Sequence, residues 1–204
     1  MIRIKAPNLI TIAKKKENNV TIFIDLDGVL SDWMDAACKL CDIDPNDEAI
    51  RKQLKKGKYL DELGVISDEE IWDKINAKGT SFWAELELFS WAKKLVQSME
   101  KQGEMYFLTS PGECIPACSG KVEWVDKHFG KEYIKKTIIC YPKEQCAGPN
   151  KILIDDSEKK IEKFRDSGGH AFLWPQQYKF DDGEENIDEI IDELTKQIHQ
   201  LKTK

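Results

Sequence analysis

Five short apolar runs recur along the chain, the first of them rich in β-branched residues, and helical patterns lie between them. The runs are Val20 to Ile24, Met105 to Leu108, Thr137 to Cys140, Ile152 to Ile154 and Ala171 to Trp174. Apolar runs this short, without polar alternation, read as strands covered on both faces. Ser90 to Gln102 carries apolar residues at 91, 92, 95, 96 and 99, with Gly103 as its C-cap. Val122 to Phe129 ends the same way at Gly130. Ser157 is placed to N-cap a helix running to Asp166, stopped by Gly168 and Gly169. The alternation predicts an α/β fold: a Rossmann-like, mostly parallel sheet with helices on both faces.

Between Leu30 and Phe89 no strand pattern occurs. Asn46 to Lys56 looks helical, and Ser67-Asp68-Glu69-Glu70 forms a capping box ahead of Ile71 and Trp72. We therefore expect an α/β core from residues 1–30 and 90–204, with residues 31–89 inserted as a small helical cap. Ser110 to Lys136 leaves room for little beyond one helix. Glu184 to Leu201 places Ile187, Ile190, Ile191, Leu194, Ile198 and Leu201 on one face. That amphipathic helix packs on the body or on a partner, so a homodimer is compatible with it.

The net charge of −6 and the absence of a Lys/Arg block argue against a protein that grips long nucleic acid. A small anionic substrate remains open, because a metal and one or two lysines supply local positive charge. No run of about eighteen apolar residues predicts a membrane span. Met1 to Lys16 has no continuous apolar region, so no signal peptide is expected. Among six cysteines, the Cys38/Cys41 and Cys114/Cys118 spacings resemble halves of a zinc site. Cys38 and Cys41, however, fall on one helix face where thiols pack as small hydrophobes. A reduced, cytoplasmic protein without zinc is the expectation.

In parallel sheets, ligands bind beyond the carboxyl ends of the strands. Those ends offer Asp25 and Asp27, then Thr109 and Ser110, then Lys143, then Asp155 and Asp156. A carboxylate at such a position can attack phosphorus, and a second carboxyl two residues on can shuttle protons. Gly28 lets the chain turn sharply enough for both to approach. The plainer reading of Asp25-Leu26-Asp27-Gly28 is a polar turn. Thr109-Ser110-Pro111 supplies hydroxyl and N–H donors for phosphate oxygens, although Ser and Thr before Pro are commonly just a turn. Lys143 is suited to neutralising a phosphoryl group, and Lys151 is its rival. Asp155 and Asp156 repel each other unless a cation or a lysine sits between them, or else one merely caps the next helix. Each motif has a bland alternative, but the four in this order share none.

The order Asp25-Leu26-Asp27-Gly28-Val29-Leu30, Thr109-Ser110-Pro111, Lys143 and Leu153-Ile154-Asp155-Asp156-Ser157 resembles the haloacid dehalogenase superfamily of phosphohydrolases. The resemblance implies Asp25 as nucleophile, Asp27 as general acid and base, Thr109 as phosphate-binding hydroxyl and Lys143 as stabilising lysine. It also implies a Mg²⁺ held by Asp25, the Asp27 backbone carbonyl and the acids Asp155 and Asp156, with Asp156 the favoured direct ligand.

Val29, Ser31-Asp32-Trp33, Lys121 to Val125 and His128-Phe129 are similar to the 5′-nucleotidase and 5′(3′)-deoxyribonucleotidase branch. That likeness implies a nucleoside monophosphate substrate, with Trp33, Phe82 and Trp83 of the cap holding the base. The alternative for these aromatics is the cap's own core. Some relatives place a lysine soon after the Thr-Ser-Pro turn; Gly112 and Glu113 stand here. Two other readings are carried: a phosphatase of another small ester such as a sugar phosphate, and a non-catalytic binding protein of the same fold. The latter predicts damaged motifs, and every required residue type is present.

Overall fold

The structure, a computed structural model, describes residues 19–181, 183 and 185–203. Met1 to Lys16 and Glu184, which entered the sequence-based expectations, lie outside the described residues. The strands form as β1 (Thr21–Ile24), β2 (Glu104–Thr109), β3 (Thr137–Ile139), β4 (Lys151–Asp155) and β5 (His170–Leu173). Among the described residues they make one sheet in the order β3-β2-β1-β4-β5, and every pairing is parallel.

Alternation along each strand divides the core in two. Ile22 and Ile24 of β1, Met105 and Phe107 of β2, and Ile152 and Ile154 of β4 point to one face. There they meet Leu95, Val96 and Met99 of helix α5 (Ala92–Glu100), and Trp124 and Val125 of α6 (Pro116–Phe129). The C-terminal helix α10 (Ile187–Lys202) buries Ile191, Leu194 and Ile198 in the same cluster. Phe23, Leu108 and Leu153 point the other way, onto Ile161 and Phe164 of α8 (Glu158–Asp166). Helices thus cover both faces.

Between β1 and α5 the described residues form four helices: α1 (Trp33–Leu40), α2 (Glu48–Leu54), α3 (Asp68–Lys78) and α4 (Thr80–Ala84). A 3-10 turn, Asp61–Leu63, joins α2 to α3. The expected capping box closes α3, with Ser67 and Glu70 bonding reciprocally. The chain leaves and re-enters the sheet side by side, through an antiparallel bridge between Ser31 and Leu88. This bridge escapes a reading by strand pattern because it is one residue pair long. The Trp91 indole donates to the Val29 carbonyl at 2.9 Å, and the Trp124 indole to the Leu86 carbonyl at 2.8 Å. Both indoles staple the crossing to the core.

Several local expectations need correction. Helix α5 ends on Lys101 as its C-cap, and Gly103 has no left-handed backbone. Gly103 is required for another reason: a β-carbon there would lie 2.4 Å from the Val20 carbonyl oxygen. Ser157 stands at the N-cap of α8 without a capping hydrogen bond from its side chain. The helix expected over Asn46 to Lys56 is shorter, Glu48–Leu54, and is capped by Asp47 through bonds from Ala49 and Ile50. After α6 a second short helix, α7 (Lys131–Ile134), precedes β3. The short helix α9 (Gln177–Asp181) lies between β5 and α10. No helix among the described residues is long and apolar enough to cross a membrane.

The helical insert rests on the core where α4 crosses α6. Gly120 permits the approach, since a β-carbon there would lie 2.5 Å from Trp83 Cβ and 2.6 Å from the Thr80 carbonyl oxygen. Backbone cannot swing aside as a side-chain tip can. We expect Gly120→Ala to destabilise the protein by about 1–3 kcal/mol, the usual cost of overpacking. Urea unfolding checks this, as a lowered midpoint with an unchanged slope.

Candidate active site

β1 and β4 are adjacent, and Ile24 is in register with Ile154. Asp25 and Asp155 therefore leave the sheet at the same level. The chain runs from β1 through β2 to β3 on one side of β1, then crosses to β4 on the other. Such a switch point opens a crevice at the carboxyl ends of the strands.

Asp25 is buried, with 1% of its surface exposed. Its Oδ1 accepts from the Leu26 N–H at 2.8 Å, and its Oδ2 lies 2.6 Å from Lys143 Nζ and 3.3 Å from Lys160 Nζ. Burial by itself raises the Asp25 carboxyl; Lys143, Lys160 and Lys121 outweigh it and hold the group well below the usual range. The side chain is thus kept as an anion inside the protein, as a nucleophile requires.

Lys143 sits in a 3-10 turn, Lys143–Cys146, between β3 and β4. Its ammonium is buried and bridges Asp25 to Asp155, at 2.6 Å from each. Lys151 begins β4, opposite Thr21, at the far end of the strand from Asp155. The geometry separates the two rivals. Asp155 also accepts from the Ser157 N–H at 3.0 Å. Burial first, and then the Asp25 charge, raise the Asp155 carboxyl despite its ion pair.

Asp156 differs from its neighbour. It is half-buried, and burial followed by Asp155 pushes its carboxyl up to about 7. Gly28, at φ 79°, faces it so closely that a β-carbon would lie 2.2 Å from Asp156 Oδ2. Ligand oxygens of Asp25, Asp155 and Asp156 lie within 4.8 Å of one another. Hard oxygen donors in this arrangement suit Mg²⁺ or another hard divalent ion. A raised carboxyl amid like charges is also where added positive charge would be most favourable.

The Asp27 side chain stands apart from that group. It accepts from Lys121 Nζ at 2.7 Å and from the Ser31 hydroxyl at 3.1 Å. Lys121 also donates to Thr109 Oγ1 at 3.0 Å and to the Ser110 carbonyl at 2.6 Å. The sequence reading did not assign Lys121 a role, although its position was a legible signal. It falls on the buried stripe of α6 with Ala117, Gly120, Trp124 and Val125. A lysine at such a position must be paired. It also supplies the ammonium that Gly112 and Glu113 do not, one helix turn and more downstream. Glu113 is exposed, clear of the crevice. Lys160, from the first turn of α8, was likewise missed.

A cavity of about 250 Å³ opens over these groups, lined by Asp27, Asp156, Lys121 and Lys160 at its base and by Trp33, Trp72 and Trp83 on its wall. The three indoles interlock: Trp72 stacks on Trp83 at 6.4 Å and 23°, and Trp33 tilts against Trp72 at 6.4 Å. Phe82 does not line the cavity. It is buried behind the wall, edge-on to Trp33 and Trp83. Trp72, which the sequence reading passed over, takes the place expected of it. Ser110 reaches the cavity with a buried hydroxyl that has no hydrogen-bond partner among the described residues. Lys121 Nζ lies 4.7 Å from the Trp83 ring centroid, joining wall to base.

Comparisons with known proteins give the family and the fold. The family described as 5′ nucleotidase, deoxy (pyrimidine), cytosolic type C protein matches residues 18–194. Among curated proteins none matches the sequence. Of solved structures, a haloacid dehalogenase-like hydrolase from Streptococcus pneumoniae is similar at a TM-score of 0.55 and 16% identity, covering 87% of this chain and 99% of that one. Another from Xanthomonas campestris is similar at a TM-score of 0.55 and 12% identity, covering 93% and 96%. At such identity these two establish the fold, while the family match spans most of the sequence. The chain therefore belongs to the cytosolic type C family of 5′(deoxy)nucleotidases, and is a phosphoric monoester hydrolase with the haloacid dehalogenase fold.

Proposed function

We propose that the protein hydrolyses nucleoside monophosphates to nucleoside and phosphate, through a phosphoryl group carried on Asp25 and with the help of Mg²⁺. The observation that carries the reading is the buried Asp25 anion 3.3 Å from the Lys160 ammonium, which lines a cavity with charged side chains at its base and indoles on its wall.

Asp25, Asp155 and Asp156 would hold the ion, which supplies Lewis-acid neutralisation of the phosphoryl oxygens. The remaining work falls to protein groups. Asp25 attacks phosphorus, the bond from phosphorus to the leaving oxygen breaks, and Asp27 protonates that oxygen. Lys121 begins as the partner of Asp27 and lies beside Thr109. An incoming phosphate draws this ammonium to itself, freeing Asp27 for a proton. Ser110 and Thr109 offer hydroxyls to the phosphate oxygens. In the second half Asp27 takes a proton from water, which attacks phosphorus and restores the Asp25 carboxylate. Lys143 keeps Asp25 charged before the attack and again once the phosphate has left.

The insert, residues 31–89, acts as the cap in this reading, its indole wall holding the base while the core holds the phosphate. That wall favours a nucleotide over a sugar phosphate, because a flat aromatic base offers a broad π-face to stack on indoles and a sugar offers only the C–H bonds of its ring.

Asp25→Asn is expected to abolish phosphate release, and Asp27→Asn to lower it by about 10²–10⁴-fold. Release of inorganic phosphate from a panel of nucleoside 5′- and 3′-monophosphates tests both. Near-normal turnover in Asp25→Asn would remove the nucleophile. Trp33→Ala is expected to raise KM for a nucleoside monophosphate by about 5- to 150-fold, the equivalent of a 1–3 kcal/mol stack. With ribose 5-phosphate the same variant should show little change. Equal effects on both substrates would reject base stacking.

A further inference from the structure

The reaction just described assigns no task to Lys160, yet its ammonium lies 3.3 Å from Asp25 Oδ2 and 3.6 Å from Asp155 Oδ1. These are two of the three carboxylates that fit a divalent ion. Lys160 differs from Lys143 in mobility. The Lys143 side chain is 1% exposed and shut between two carboxylates, whereas that of Lys160 is 32% exposed and borders the cavity with Asp156 and Tyr59. One lysine is a fixed strut; the other has somewhere to go.

We propose that Lys160 is an electrostatic coupler between the two ligands of the site, opposing the divalent cation and favouring the phosphate. The inference rests on the metal-dependent reading above. An ammonium and a metal ion that draw on the same carboxylate oxygens repel each other. A cation entering among Asp25, Asp155 and Asp156 displaces Lys160 toward the cavity it already borders. There a phosphate dianion is its natural partner.

Formal charge shows the consequence. Counted with all four carboxyls ionised, Asp25, Asp27, Asp155 and Asp156 face Lys121, Lys143 and Lys160, which gives a net charge of minus one. A divalent cation brings the site to plus one, and a phosphate dianion returns it to minus one. Without Lys160 the sequence becomes minus two, zero, minus two. The first ligand gains a more negative site, and the second loses a positive one. Lys160 thus weakens metal binding taken alone and strengthens phosphate binding once the metal is present. Phosphate in turn tightens the metal, as reciprocity between coupled sites demands.

The test is calorimetric titration of the whole protein, first with MgCl₂ alone and then with inorganic phosphate at saturating Mg²⁺. Lys160→Gln and Lys160→Met should bind Mg²⁺ more tightly and phosphate more weakly. Each change should be about tenfold, within the range usual for coupled sites. Lys160→Arg, which keeps the charge, should move both constants less than the neutral variants. Opposite signs are the signature, since a merely structural lysine would weaken both when removed. Unchanged or weaker Mg²⁺ binding in the neutral variants would overturn the proposal, as would unchanged or tighter phosphate binding. If the unaltered protein bound no Mg²⁺, the metal-dependent reading itself would fall, and this inference with it.

Discussion

The site depends on the buried ammonium of Lys143 and the two carboxylates it joins, Asp25 and Asp155 at 2.6 Å each. Two buried acids so close together would repel, and one would take a proton. A shared cation keeps both in place, and breaking such a pair typically costs about 3–5 kcal/mol through the charge left behind. The three groups come from distant parts of the sequence, namely the end of β1, the end of β4 and the turn between β3 and β4. Parallel pairing of β1 with β4 sets the two acids level, and only a sheet that reverses direction at β1 does so next to an open crevice. Fold and chemistry thus share one constraint.

A second junction ties the insert to the groups around Asp27 and Thr109. Gly120 and Lys121 are neighbours on α6. The first lets α4 approach, and the second reaches Asp27, Thr109 and the Ser110 carbonyl. Trp83 packs over both, with its ring close to the Lys121 ammonium. One turn of helix therefore positions the indole wall and the cation at the cavity base together. Binding a nucleotide at both ends would engage a single rigid element rather than two independent ones.

The sheet was legible because its strands are short, apolar runs whose ends are marked by polar residues. Asp25, Thr109, Lys143, Asp155 and Asp156 could be picked out for the same reason. Lys121 and Lys160 were harder because helices carry many lysines, nearly all of them solvated. What sets these two apart is phase. Lys121 shares a stripe with buried Ala117, Trp124 and Val125, and Lys160 lies four residues before buried Phe164. The aromatics of the insert were recognisable as a group, but their division was not. Whether Phe82 or Trp72 faces the cavity depends on how α3 and α4 pack on each other, which neither helix records alone. Gly103 shows the same limit: its place after a helix suggested a cap, whereas the reason for it lies across the sheet at Val20.

The central claim is that Asp25 carries the phosphoryl group during turnover. Acid-quenching the Asp27→Asn variant while it turns over p-nitrophenyl phosphate tests this most directly, because that leaving group needs no proton from Asp27 whereas hydrolysis of the intermediate still does. Peptide mass spectrometry should find a hydroxylamine-labile phosphoryl group on Asp25. Turnover with no covalent phosphate on any peptide, or with the label on another residue, would contradict the account.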